Sequence, residues 1–123
     1  MKKLTPDILD EENRLKALAE YRILGTQPES CYDDITQIAA STCNVPISLM
    51  TLVDKDRQWF KSKVGFETKE TRRDWSFCTH AIKENHPLII NDAYQDERFI
   101  NNPLVTGDPK IRFYAGFRLR NSE

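Results

Sequence analysis

The twenty-one residues from Val45 to Gly65 constrain this chain more than any other stretch. "VPISLMTLVD" (45–54) is a nearly continuous apolar run rich in β-forming residues, the pattern of a strand buried on both faces. "DKDR" (54–57) is a turn. "QWFKSKVG" (58–65) then alternates, with Phe60 and Val64 on one side and Trp59, Lys61 and Lys63 on the other. Two such runs joined by a short polar turn predict an antiparallel hairpin. A chain of 123 residues built around it has room for one core.

Two helices are predicted ahead of the hairpin. The first spans about Pro6 to Leu24; Leu15, Leu18 and Ile23 give it only a loose apolar stripe. Asp10, Glu11 and Glu12 sit near its start, where the helix dipole favours acids, and Gly25 stops it. The second begins at "TQPE" (26–29), a capping box with Thr26 as N-cap and Glu29 at N3. Ile35, Ile38, Ala39 and Thr42 recur at helical spacing, and Asn44 and Pro46 end the helix.

After the hairpin, "FETKETRRD" (66–74) reads as a polar loop. Ser76 caps a short helix running to Asn85, which His86-Pro87 terminates. "LIIND" (88–92) is a short strand, and residues 93–110 are a short helix followed by an irregular connection with Asn-Pro and Gly-Asp-Pro turns. The last strand, "IRFYAGFRLR" (111–120), carries the cleanest period-2 pattern. Ile111, Phe113, Ala115, Phe117 and Leu119 form one face, expected to pack on the two long helices. Arg112, Tyr114, Gly116, Arg118 and Arg120 form the other. Helices, a hairpin, and strands separated by short helices describe an α+β fold with an antiparallel sheet.

Composition excludes several function classes. The formal net charge is −1, which offers nucleic acid no basic surface. No apolar run reaches the roughly 20 residues of a membrane span, and "MKKLTPDILDEEN" lacks the apolar stretch of a signal peptide. A cytoplasmic location is therefore expected. Cys31, Cys43 and Cys78 are odd in number and lack zinc spacing, so they read as free thiols, with no metal site expected. The four glycines lie far apart and build no phosphate loop.

"DWSFCTHAI" (74–82) places a thiol and an imidazole two residues apart. On a helix, positions i and i+2 point about 200° apart, so Cys78 and His80 make neither a nucleophile–base dyad nor a two-ligand clamp. Cys78 shares its face with Ala81 and Ile82 and reads as structural, while His80 shares its face with Phe77 and Glu84. No catalytic residue is assigned. Trp59, Trp75, Phe77, Tyr94, Phe99 and Tyr114 come from segments around the sheet, on the side opposite the expected main core. They enclose either a ligand pocket or a filled minor core.

Taken together, "ENRLKALAEYRILGTQPES", "YDDITQIAASTCNVPISLMTLVDKDRQWFKSKVG", "DWSFCTHAI", "PLIINDAYQDERFINNPLV" and "IRFYAGFRL" closely resemble a GAF domain, of the subgroup found in bacterial sensor histidine kinases and diguanylate cyclases. The resemblance covers residues 12–119. It implies one GAF-like domain over 1–123, with an N-terminal helix (1–24) and a sheet-and-helix body (26–119). Helices would lie on both faces of the antiparallel sheet. It also implies a C-terminal truncation, because the family pattern continues with two more strands and a helix. The implied function is a non-enzymatic sensory or regulatory module of a bacterial signal-transduction protein. That module would bind a small molecule of unknown identity, form a homodimer, and act on an effector domain absent from this chain. Trp59, Trp75, Phe77, His80, Arg112 and Tyr114 are the implied ligand-binding residues, and no particular cofactor is specified. The alternatives are a structural dimerisation module without ligand and an enzyme of the methionine sulfoxide reductase type. The cysteine pattern speaks against the second, since Cys31 and Cys43 fall in the packing helix.

Overall fold

A computed structural model describes residues 6–120, with the side chains of residues 6–9 left aside. The chain packs as two compact units, Met1–Thr71 and Arg72–Glu123, each with its own antiparallel sheet.

In the first unit, α1 (Pro6–Glu20) and α2 (Ser30–Cys43) precede β1 (Ser48–Val53) and β2 (Arg57–Val64). The predicted hairpin forms, with Ser48 opposite Val64 and Val53 opposite Gln58. β3 (Glu70–Arg72) joins it in the order β1-β2-β3. The centre of the sheet is therefore β2, not β1. The apolar β1 run stays half-buried except at Val53, while every residue from Gln58 to Ser62 is buried. The expected alternation along β2 fails because the ladder slips. Met50 faces Ser62 and Thr51 faces Phe60, which leaves Lys61 as the extra residue of a β-bulge. The segment read as a polar loop supplies β3, whose backbone answers the free side of β2, with Phe60 N–H donating to Lys69 C=O. β2 ends at Gly65, whose φ of 74° and close approach to the Pro46 carbonyl admit no side chain; a Cβ there would lie 1.9 Å from that oxygen.

Both helices differ from expectation in detail. α1 ends at Glu20 rather than Leu24, because Arg22 takes a left-handed conformation with φ 52°. α2 starts at Ser30 with Glu29 at the N-cap, and no side chain caps it. The capping box is not made because Thr26 and Glu29 both turn to Lys61. The face of α2 is also reversed. Thr36 is buried, whereas Ile35 and Ile38 are 54% and 65% exposed. Polar docking accounts for this: Thr36 Oγ1 lies 2.6 Å from Ser62 Oγ of β2, and Ser62 Oγ donates to Asp33 Oδ1 at 2.6 Å. A satisfied buried hydroxyl pair fixes this face of the helix against the strand. Asn44 closes α2 in the left-handed conformation, its N–H donating to Ser41 C=O.

In the second unit, a 3-10 turn (Arg73–Trp75) leads into α3 (Cys78–Ala81), β4 (Leu88–Ile90), a second 3-10 turn (Ala93–Gln95), α4 (Pro103–Thr106) and β5 (Tyr114–Gly116). α3 is a single turn rather than the predicted 76–85 helix, although Ser76 Oγ does accept from Thr79 N–H. Asn102 caps α4 as its Oδ1 accepts from Leu104 N–H, with Pro103 in the first turn. The core holds Phe77, Ala81, Leu88, Ile90, Ala93, Phe99 and Val105, with Ile111 and Tyr114 packed against it.

The last strand inverts the sequence expectation. Phe113, Phe117 and Leu119 are 54%, 70% and 75% exposed, while Tyr114 packs on the core. Cross-strand partners share a face, and buried Leu88 and Ile90 stand opposite Gly116 and Tyr114; exposed Ile89 stands opposite Ala115. The face that faces inward is thus set by β4.

Candidate functional site

The predicted site residues fall in both units. Trp59 belongs to the first; it is buried in β2 opposite Leu52. Trp75, Phe77, His80, Arg112 and Tyr114 belong to the second.

Phe99 organises the second group, and its ring is 1% exposed. Phe77 stacks on it with centroids 4.2 Å apart and planes inclined by 14°. His80 meets it edge-on at 5.0 Å, and the Arg98 guanidinium lies 5.2 Å from its centroid. Arg98 is held by Asp96, with Nε to Oδ1 at 3.0 Å and Nη2 to Oδ2 at 2.8 Å, a forked ion pair. Each partner stabilises the other's charge. The hydrogen bonds to Arg98 hold the Asp96 carboxyl below the usual range, and Asp96 pushes the Arg98 guanidinium up.

Tyr114 reaches this cluster from β5, 5.1 Å from the Phe77 ring. Its side chain lies down over Gly116, where a Cβ would sit 2.1 Å from its hydroxyl. The absence of a side chain at 116 lets the ring fold along the strand, so that Oη comes within 3.1 Å of Cys78 Sγ. Burial pushes the Tyr114 phenol well above its ordinary value, and the nearby thiol adds to the shift. His80 moves the other way. Burial lowers its pKa from the ordinary 6.5, with Arg98 and Lys83 lowering it further and Asp96 and Glu84 opposing. Cys78 and His80 thus address different partners, a phenol and an aromatic ring edge.

The remaining two stand beside the cluster. Trp75 is half-buried under the Arg72 guanidinium at 5.5 Å, and its carbonyl accepts from Asn102 Nδ2. Arg112 is exposed, 4.9 Å from the Tyr94 ring centroid, and its Nη1 donates to the Val105 and Ile111 carbonyls. The structure therefore gathers Phe77, His80 and Tyr114 around Phe99. Sequence reasoning missed Phe99 as the hub and the Asp96–Arg98 fork beside it. The spacing "DERF" was the available signal, an acid and a base two apart directly before an aromatic. Among the described residues, no group of three or more His, Cys, Asp or Glu is placed to hold a metal ion. No helix among them is long and apolar enough to cross a membrane.

Antiparallel sheets flanked by helices, with an aromatic cluster carrying a half-buried histidine, describe a small α+β domain, and the sequence assigns it to a family. The family model for the GAF domain matches residues 27–123, and the chain belongs to that family. Over 114 residues it is 36% identical to a cyclic di-GMP phosphodiesterase of Pseudomonas aeruginosa. The alignment covers 93% of this chain and 19% of that protein, so the chain spans about a fifth of its relative's length. GAF domains are signalling modules that bind small molecules and often dimerise.

Proposed function

We propose that this chain is a sensory or regulatory module of a bacterial signalling protein. It binds a small molecule and performs no chemistry of its own. The observation that carries the reading is the family match over residues 27–123; the relative named as a cyclic di-GMP phosphodiesterase supports the signalling context. The side chains fit recognition better than turnover. A neutral imidazole offers one donor and one acceptor, and His80 holds them beside the aromatic Phe77, Phe99 and Tyr114 rings. Trp75 and Arg112 extend the same unit with an aromatic face and a guanidinium. The effector regulated lies outside the aligned fifth of such a protein, and histidine kinases, diguanylate cyclases and phosphodiesterases are the candidates.

A second reading, a dimerisation module without ligand, draws on the 4.2 Å stack of Phe77 on Phe99, which fills the middle of the second unit with its own rings. Thermal melting in the presence of cyclic GMP, cyclic AMP and a panel of metabolites separates the two. A ligand at 100 times its dissociation constant adds about 2.7 kcal/mol, and the shift should vanish in His80→Ala and Trp75→Ala. A flat response across the panel, with a dimer unaffected by those substitutions, would favour the second reading.

A further inference from the structure

Lys61 carries a buried charge that the proposed ligand site does not use. Its side chain is 1% exposed, yet it sits on the bulge of β2, where the slipped register turns it out of the ladder. An ammonium group has three protons to place, and each finds an acceptor: Thr26 Oγ1 at 2.7 Å, Gln27 C=O at 2.6 Å and Glu29 Oε2 at 2.6 Å. The Tyr32 ring adds a face at 5.4 Å. Thr26 passes the tie on, its hydroxyl donating to Ile23 C=O. All of these partners lie in or beside the connection between α1 and α2.

From Asp10 onward, the apolar residues that α1 turns away from water, Leu15, Ala17 and Leu18, are only half-buried. No described residue from Asp10 to Ile35 is buried, which covers α1 from Asp10 onward and the whole connection. A second tie to the sheet is polar as well. Arg14 grips Glu11 with Nε and Nη2, and its Nη1 donates to Val53 C=O at the end of β1. Below that surface, α2 and β2 are joined separately, through Thr36, Ser62 and Asp33. Among the described residues, Lys61 and Arg14 thus tie the helix and its connection to the sheet at two polar points, whereas the body beneath them has its own bonds.

We propose that Lys61 is a releasable latch: together with Arg14 it holds α1 and the 21–29 connection as a strap on the first unit, and undoing it frees that strap while α2 and the β1–β2 hairpin stay folded. A strap anchored at two polar points, with no fully buried side chain from Asp10 to the end of the connection, opens as a unit below the energy of global unfolding. Glu29 is 54% exposed, which leaves the latch open to water and salt from one side.

Hydrogen exchange of the full chain, read by mass spectrometry at neutral pH, tests this. In Lys61→Met, which removes all three hydrogen bonds of the ammonium, amides of residues 10–29 should exchange at least about tenfold faster, the effect that losing even one hydrogen bond to a charged group would have. Amides of 31–43 and 48–64 should keep their rates. Arg14→Ala should accelerate the same segment. Glu29→Gln leaves the lysine in place but removes its counter-charge, so it decides the matter if Lys61→Met fails to fold. Acceleration spread evenly through the hairpin would overturn the proposal, as would unchanged rates over 10–29 in Glu29→Gln and in whatever Lys61→Met protein folds.

Discussion

Phe99→Ala and Phe113→Ala form a paired test of which side of the last strand faces the core of the second unit. Phe99 is 1% exposed and stacked at 4.2 Å on Phe77. Its truncation removes a whole ring from water-free surroundings and leaves a cavity that Phe77, Arg98 and His80 can only partly fill. That class of change costs about 3–5 kcal/mol, and the lost stacked and edge contacts place it in the middle of the range, about 4 kcal/mol. Phe113 is 54% exposed. Burying a Phe side chain fully is worth about 1.5–3 kcal/mol, so with roughly half of it already wet and no closed cavity to create, Phe113→Ala should cost about 1 kcal/mol. Urea unfolding followed by far-UV circular dichroism reads the difference. With a slope of about 1.5 kcal/mol/M, the midpoints should fall by about 2.7 M and about 0.7 M. Phe99→Leu keeps much of the apolar volume and should lie between them. Equal losses, or a larger loss for Phe113→Ala, would refute the assignment and restore the face expected from sequence.

Gly116→Ala should cost about 2 kcal/mol, because the new Cβ would lie 2.1 Å from the Tyr114 hydroxyl and drive the ring off the strand; released from that contact, Cys78 should react faster with a disulfide reagent. His80 gives a pH signature. Its folded pKa lies below the ordinary 6.5 because of burial and then Arg98 and Lys83, so the folded state binds fewer protons than the unfolded one. Its contribution is complete above pH 6.5 and falls as the pH drops from 6.5 toward the folded value. His80→Gln should remove that part of the slope in a stability–pH series, and an unchanged slope would count against the placement. Tyr114 acts at the other end: its phenol is raised, so stability should decline as pH rises past 10, and Tyr114→Phe should flatten that decline.

The sequence by itself determined the hairpin, the two long helices, the strand after His86-Pro87 and the α+β class. Each rests on local physics: a period of two or 3.6, a turn of charged residues, a proline that forbids helix before it. The aromatic cluster was half legible, since Phe77, His80 and Tyr114 could be named but Phe99 could not be recognised as their centre. Its place depends on three segments meeting, which no window of sequence contains. Tertiary structure decided the rest. Period two says that residues 111–120 have two faces and is silent on which faces inward; Leu88 and Ile90 opposite Gly116 and Tyr114 settled that. An apolar run suggested that β1 would be the buried strand, but β2 is buried because it has a neighbour on either side. Thr26 and Glu29 suit a helix cap in isolation, and lost that role because a buried ammonium, with three protons to satisfy, is the more demanding partner.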